Sequence, residues 1–517
     1  MALAVGEYVA IDPAADSGCA IFPANGAPGE AEYLLVPQLA TSTAGGTTSF
    51  QLVGDTLRLT ATPAPAPPAR RPAPSPAARF HAFLRRGEER RSWGFAPQRG
   101  PALLGPVAPA PPAYGSTRQF AVCSDLECSS FADVTATVRA VQTKVAIYVD
   151  DDAPPGGLDS TALDGLARLF DDRLYPADTA AFGRESDIDD NTVVLILMTP
   201  VVNKLITEEQ CQESGFVAGF FLGADIDPDF QSDPRSNKGE VFYSVVADPQ
   251  GTVSCAHSTT QVERLVPVTF IHEFQHMISY NQHVLVRGGD GEQLWLNEGL
   301  AHFAEELGGR TYAPGTAEFS RFLLGDLFNA YQYLDSTSGH FLLPTEGIGS
   351  LAERGASWLF VRYLVDRYSG DTTVASWNAF TRQLVETSQV GAANISAVTG
   401  DVFVTIVTRW ALANWVSDLP GFVAPPELRY DSWSFRVTYA SLNAQDRGNF
   451  PKPFPLVPTV STGRATNVTG TLHAGSGVYH RATQPGSDPA FITRLRTSNG
   501  GLLDGSLSPR LNVIRIR

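Results

Sequence analysis

The chain has 517 residues, 43% of them hydrophobic, enough to bury a sizeable core and to build on the order of two to four domains. A formal net charge of −16 argues against nucleic acid or an anionic membrane as the partner. No charge-free apolar run reaches the roughly 18 residues that a membrane span needs.

The start, MALAVG, has no basic n-region and no full apolar core, so it is not a signal peptide as it stands. Ala2-Leu3-Ala4 does fit the small-residue pattern of a cleavage site, which predicts a true start upstream and an exported protein. Residues 1–60 alternate short β-prone pieces with Gly/Asp/Ser turns and are expected to form an N-terminal β module. Residues 61–116 carry TPAPAPPARRPAPSP and GPVAPAPPAYG, whose composition is that of an extended linker. Between them HAFLRRGEERRSW interleaves Arg85, Arg86, Arg90 and Arg91 with Glu88 and Glu89. A solvated charge cluster is the first expectation for it. A short docking helix, or a site where a pro-segment is cut, is the alternative.

Residues 117–425 are expected to form the main domain. KVAIYVD (from Lys144) and TVVLILMT (from Thr192) are buried-strand runs, and Leu163, Leu166, Phe170 and Leu174 repeat at helical spacing between them, with Asp159 or Ser160 as N-cap. Phe216–Leu222 and Glu240–Val246 supply two further strands. The acidic turn Asp187-Ile188-Asp189-Asp190-Asn191 alternates oxygen donors, so Ca²⁺ is chemically possible. No glutamate closes the loop and no central glycine is present, which favours an ordinary turn.

HEFQH, His272 to His276, places two imidazoles four residues apart on one helix face, the geometry that holds a single Zn²⁺, with Glu273 beside them as general base. Pro267 fits the first turn of that helix. In WLNEGLAHFAEE, Trp295 to Glu306, the residues Leu300, Phe303, Ala304 and Leu307 make an apolar stripe opposite Glu298, His302 and Glu305. Glu298 is the candidate third ligand, and His302 and Glu305 are candidates to orient a ligand imidazole. The helical region after Ala317 gives way from about Glu427 to expected β pieces, SFRVTYA, GVYHRA and LNVIRIR, read as a C-terminal sandwich over 426–517 with His480 at its surface. Among five cysteines, Cys123 with Cys128 and Cys211 with Cys255 are plausible pairs, leaving Cys19.

HEFQHMI followed by WLNEGLAHFAEE resembles the gluzincin peptidases, and most closely the hyicolysin-type secreted bacterial metallopeptidases. The resemblance runs over roughly residues 120–420, through SDIDDNTVVLILMTPVVN, GEVFYSVVADP and RGASWLFVRYLVDRYSGD. It implies an α+β, zincin-like catalytic domain with a mixed-sheet upper lobe and a helical lower lobe, zinc on His272, His276 and Glu298, and Glu273 as catalytic base. It also implies that the edge of VFYSVVADP receives an extended protein or peptide substrate. The sequence departs from that pattern where a Tyr would steady the oxyanion; Arg354, Tyr331, Tyr333 and His340 are the candidates to replace it. The expected function is zinc-dependent hydrolysis of peptide bonds by a secreted or cell-surface endopeptidase. The rival readings are a non-catalytic zinc-containing adhesion protein and an aminopeptidase on the same ligands.

Overall fold

A computed structural model describes residues 2–15, 18–26, 28–54, 73–94, 110–345 and 347–517. Most of the expected Pro/Ala-rich linker lies outside the described residues. The chain divides into two units, Met1–Pro72 with Asp326–Thr373 and Ile395–Arg517, and Ala73–Gly325 with Val374–Asn394. Fifteen strands are described: β1 Tyr8–Ile11, β2 Cys19–Phe22, β3 Ala31–Leu39, β4 Thr47–Gly54, β5 Thr117–Cys123, β6 Phe131–Val141, β7 Val145–Asp150, β8 Val194–Met198, β9 Gly219–Phe221, β10 Val241–Ser244, β11 Thr459–Thr462, β12 Asn467–His473, β13 His480–Gln484, β14 Phe491–Thr497 and β15 Pro509–Arg515.

In the first unit the strands from the two ends of the chain share two sheets, ordered β1-β15-β3-β13-β11 and β12-β4-β14-β2. This corrects the expectation of separate N- and C-terminal modules. β3 lies between β15 and β13 and is buried along its whole length, as a central strand covered on both faces should be. The core between the sheets draws on both ends: Phe22 stacks on Phe491 at 4.3 Å and meets the edge of Tyr33 at 4.8 Å. SFRVTYA is helical, within Phe435–Gln445, because Phe435 and Tyr439, one turn apart, both bury. His480 is buried at 2% exposure, its two ring nitrogens meeting the hydroxyls of Thr459 and Ser461 at 2.7 and 3.0 Å; it is not a surface residue.

The second unit is mixed α+β. Its six-stranded sheet has the order β5-β6-β7-β8-β10-β9, with β7, β8 and β10 parallel and the rest antiparallel. Between β7 and β8 the chain crosses through the helix Ser160–Leu169, capped by the Asp159 side chain as expected. Three helices matter for the site: α1 Pro76–Arg90, α2 Thr259–Tyr280 and α3 Leu294–Arg310. Ser258 caps α2 with its side chain, and Pro267 lies inside the helix, not in its first turn. A proline there removes one helical hydrogen bond, a loss that tertiary packing overrides. Phe270, Phe274 and Met277 of α2 pack with Phe170, Ile196 and Phe242, the Phe242 and Phe270 rings meeting edge-on at 4.5 Å. That packing anchors α2 to the sheet.

Disulfides join Cys123 to Cys128 and Cys211 to Cys255, as the spacing allows. Among the described residues, no single helix is long and apolar enough to cross a membrane. The shared sandwich makes a testable demand. Phe22→Ala, near the chain start, should cost about 3–5 kcal/mol and accelerate amide hydrogen exchange in β14, near the chain end. Unchanged exchange in β14 would mean that the two ends fold independently.

Candidate metal centre and catalytic site

α2 and α3 carry the histidines and acids singled out in the sequence, and the fold brings all of them together. His272 and His276 stand one turn apart on α2, ring centroids 4.9 Å apart, with their Nε2 atoms separated by 3.2 Å. Glu298, the fifth residue of α3, reaches 3.6 Å from His276 Nε2 and 3.9 Å from His272 Nε2. Close packing of the two helices permits this: a Cβ on Gly308 of α3 would lie 3.0 Å from the Ile271 side chain of α2, so the position favours glycine.

The outer ring nitrogens set the orientation. His272 Nδ1 lies 2.7 Å from Glu305 Oε1, and His276 Nδ1 lies 3.0 Å from Asn297 Oδ1. Both partners accept, so each Nδ1 carries the hydrogen and each Nε2 presents a lone pair. Two lone pairs aimed at each other across 3.2 Å repel unless a cation lies between them. In tetrahedral coordination at the usual Zn–N length, neighbouring donors sit about 3.3 Å apart. The donor set therefore fits a Zn²⁺ ion, with Glu298 completing three protein donors. Glu305 also lies 2.9 Å from His302 Nδ1, so His302 steadies the carboxylate that steadies His272.

Burial sets the electrostatics. Desolvation holds both α2 histidines well below their ordinary pKa, keeping them neutral as metal donors must be. Glu273, at 1% exposure, is pushed up to about 7 by burial, with Arg85 opposing. Burial would also raise Glu305, but His302 and His272 outweigh it and hold that carboxyl near 2.

Sequence reasoning missed four neighbours of the base and ligands: His81, Arg85, Glu88 and Asn297. The segment expected to be solvated is helix α1, and it docks here. Arg85 Nη2 stands 3.4 Å from Glu273 Oε2 and 3.1 Å from Glu88 Oε1, and His81 Nδ1 lies 3.6 Å from Glu273 Oε1. The signal was present as Phe80 and Leu84 one turn apart, both buried, which marks an amphipathic helix. The four oxyanion candidates, Arg354, Tyr331, Tyr333 and His340, belong to the first unit. The expected substrate edge also moves: β10 is flanked by β8 and β9, so β9 is the edge strand. There Phe221 N–H donates to Glu273 Oε2 at 3.1 Å.

A second acidic group, Asp187, Asp189 and Glu240, has donor atoms within 4.8 Å of one another. Glu240 Oε1 accepts from Ser186 Oγ and the Ile188 N–H, whereas Oε2 is buried with no hydrogen-bond partner among the described residues.

No family model matches the chain. Over 205 residues it is 28% identical to Neutral metalloprotease ShpI of Staphylococcus hyicus, a match covering 38% of this chain. The chain spans 41% of that relative's length. The likeness supports a relationship to metalloproteases.

Proposed function

We propose that the chain is a zinc-dependent peptidase of the gluzincin, hyicolysin-like kind, acting on proteins or peptides as an endopeptidase through a zincin-like fold. The observation that carries this reading is the pair of opposed Nε2 lone pairs with Glu298 beside them and a buried carboxylate, Glu273, next in sequence. The likeness to a neutral metalloprotease adds support.

His272, His276 and Glu298 would hold the metal. When bound, Zn²⁺ supplies Lewis acidity that polarises the scissile carbonyl and acidifies water. Glu273 takes a proton from the attacking water at a carboxylate oxygen and returns it to the leaving nitrogen. Its raised pKa places it near the neutral range where both transfers run. Glu305 and Asn297 keep the imidazoles in register. The edge strand β9 is where an extended peptide would pair through its main chain. Two disulfides fit an oxidising compartment, so a secreted or cell-surface location is part of the proposal.

The tests separate the roles. Glu273→Gln should keep stoichiometric zinc by elemental analysis while casein cleavage falls roughly 100- to 10,000-fold. His276→Ala should lose metal and activity together. A Glu273→Gln protein that cleaves at the wild-type rate would remove Glu273 as the base. Glu305→Gln should weaken zinc affinity about 10- to 100-fold in a chelator competition, with the fold intact by circular dichroism; unchanged affinity would reduce Glu305 to packing.

For the acidic group, a Ca²⁺ ion would give the idle Glu240 oxygen a partner. Micromolar Ca²⁺ should then raise the melting temperature of the wild type but not of Glu240→Gln. An equal response in both proteins removes Ca²⁺ from this site.

A further inference from the structure

Helix α1 engages the groups that an attacking water and an incoming substrate strand would need. The Arg85 side chain is fully buried, its Nη2 lies 3.4 Å from Glu273 Oε2, and it donates to the Phe221 carbonyl of β9 at 3.2 Å. His81 approaches the other Glu273 oxygen at 3.6 Å. Both oxygens of the proposed base thus face side chains of α1. A guanidinium and an imidazole set against the two oxygens occupy the space from which a water would be deprotonated. Phe221 is committed on both sides as well, its N–H to Glu273 and its carbonyl to Arg85, so it offers neither group to an incoming peptide.

The docking is built into the sequence on both faces of the contact. A Cβ on Gly291 would lie 2.5 Å from the Glu88 carbonyl oxygen, and one on Gly223 would lie 2.7 Å from the Trp93 ring. Phe80 meets Phe220 edge-on at 4.9 Å, and just past the helix Arg91 grips Asp227 through Nε and Nη2 at 3.1 and 3.0 Å. The fit is nevertheless incomplete. Arg85 Nε and Nη1 are buried with no hydrogen-bond partner among the described residues, an unfavourable state for a guanidinium. In sequence, the helix lies between two Pro/Ala-rich stretches, TPAPAPPARRPAPSP and GPVAPAPPAYG. A well-docked segment with idle buried donors and such flanks has the features of a plug made to be withdrawn.

We propose that α1 is an intramolecular inhibitor of the peptidase site, with Arg85 as the blocking side chain, and that the site turns over only after α1 has left it. This rests on the peptidase reading above. Withdrawal takes Arg85 and His81 away from the Glu273 oxygens and releases the Phe221 carbonyl for substrate at once, while the Phe221 N–H stays with Glu273, so one event opens both the base and an acceptor on the binding edge.

The test uses the full-length, zinc-loaded protein on a fluorogenic peptide, with zinc content measured on every sample. Arg85→Ala should raise kcat/KM at least tenfold over the wild type, and Arg85→Lys, which keeps the charge but not the fork, should fall between them. Arg91→Ala, at a residue whose side chain is 41% exposed and away from the metal ligands, should raise activity in the same direction by loosening the docked helix. A synthetic peptide of residues 76–94 should inhibit the Arg85→Ala protein, and the same peptide with alanine for Arg85 should not. Arg85→Ala and Arg91→Ala proteins that hold zinc and cleave no faster than the wild type would overturn the inhibitor role and leave the peptidase reading standing. A protein without zinc, and without zinc-dependent cleavage in any variant, would overturn both.

Discussion

Two imidazole lone pairs meet across 3.2 Å in the interior of the second unit, and the surrounding structure keeps them there. The outward nitrogens give the reason: each is tied to an oxygen acceptor on α3, so neither ring turns away without breaking a buried hydrogen bond. α3 must therefore sit at a fixed height against α2, and the glycine at 308 lets it come that close. α2 in turn is held to the sheet by its phenylalanines and Met277. The fold of this unit is a chain of supports that ends at two nitrogens.

Around that pair the balance of charge is severe. Glu273, Glu298, Glu305 and Glu88 are all buried, and Arg85 is the guanidinium that the structure sets against Glu273 and Glu88. Burial lifts Glu88 to about 8 and Glu273 to about 7, each partly opposed by Arg85, whereas the imidazoles hold Glu305 near 2. Carboxylates this close are pushed apart by their surroundings: the two imidazoles beside Glu305 favour its ionised form, and burial of Glu273 favours its protonated one. A divalent cation held by His272, His276 and Glu298 would relieve the repulsion between Glu273 and Glu298.

What the sequence disclosed follows the reach of local geometry. His272 and His276 were legible because helical spacing alone puts them on one face, and Glu273 because it stands beside them in the sequence. Glu298 was legible because its own helix declared itself through an apolar stripe. Arg85 and His81 were not, since their role depends on a docking partner almost two hundred residues away, at Glu273. Alternation in SFRVTYA read as strand because Phe435 and Tyr439 also satisfy helical spacing in so short a run. Pairing of β2 with β14 and of β1 with β15 leaves no local trace at all, so the shared sandwich was hidden behind two stretches that each looked like a module. His480 was misjudged for the same reason: the hydroxyls that satisfy it come from β11, the strand beside it in the sheet.

The interleaved sandwich has a consequence for any cut in the Pro/Ala-rich stretches beside α1. Strands β1 to β4 are laced by ladder hydrogen bonds to β12 through β15, and Glu32 of β3 is ion-paired to Arg481 and Arg517. A nicked molecule would keep its first fifty residues in place as a separate polypeptide, travelling as one particle under native conditions and as pieces in detergent. Processing of this chain would be invisible to size in solution and obvious on a denaturing gel.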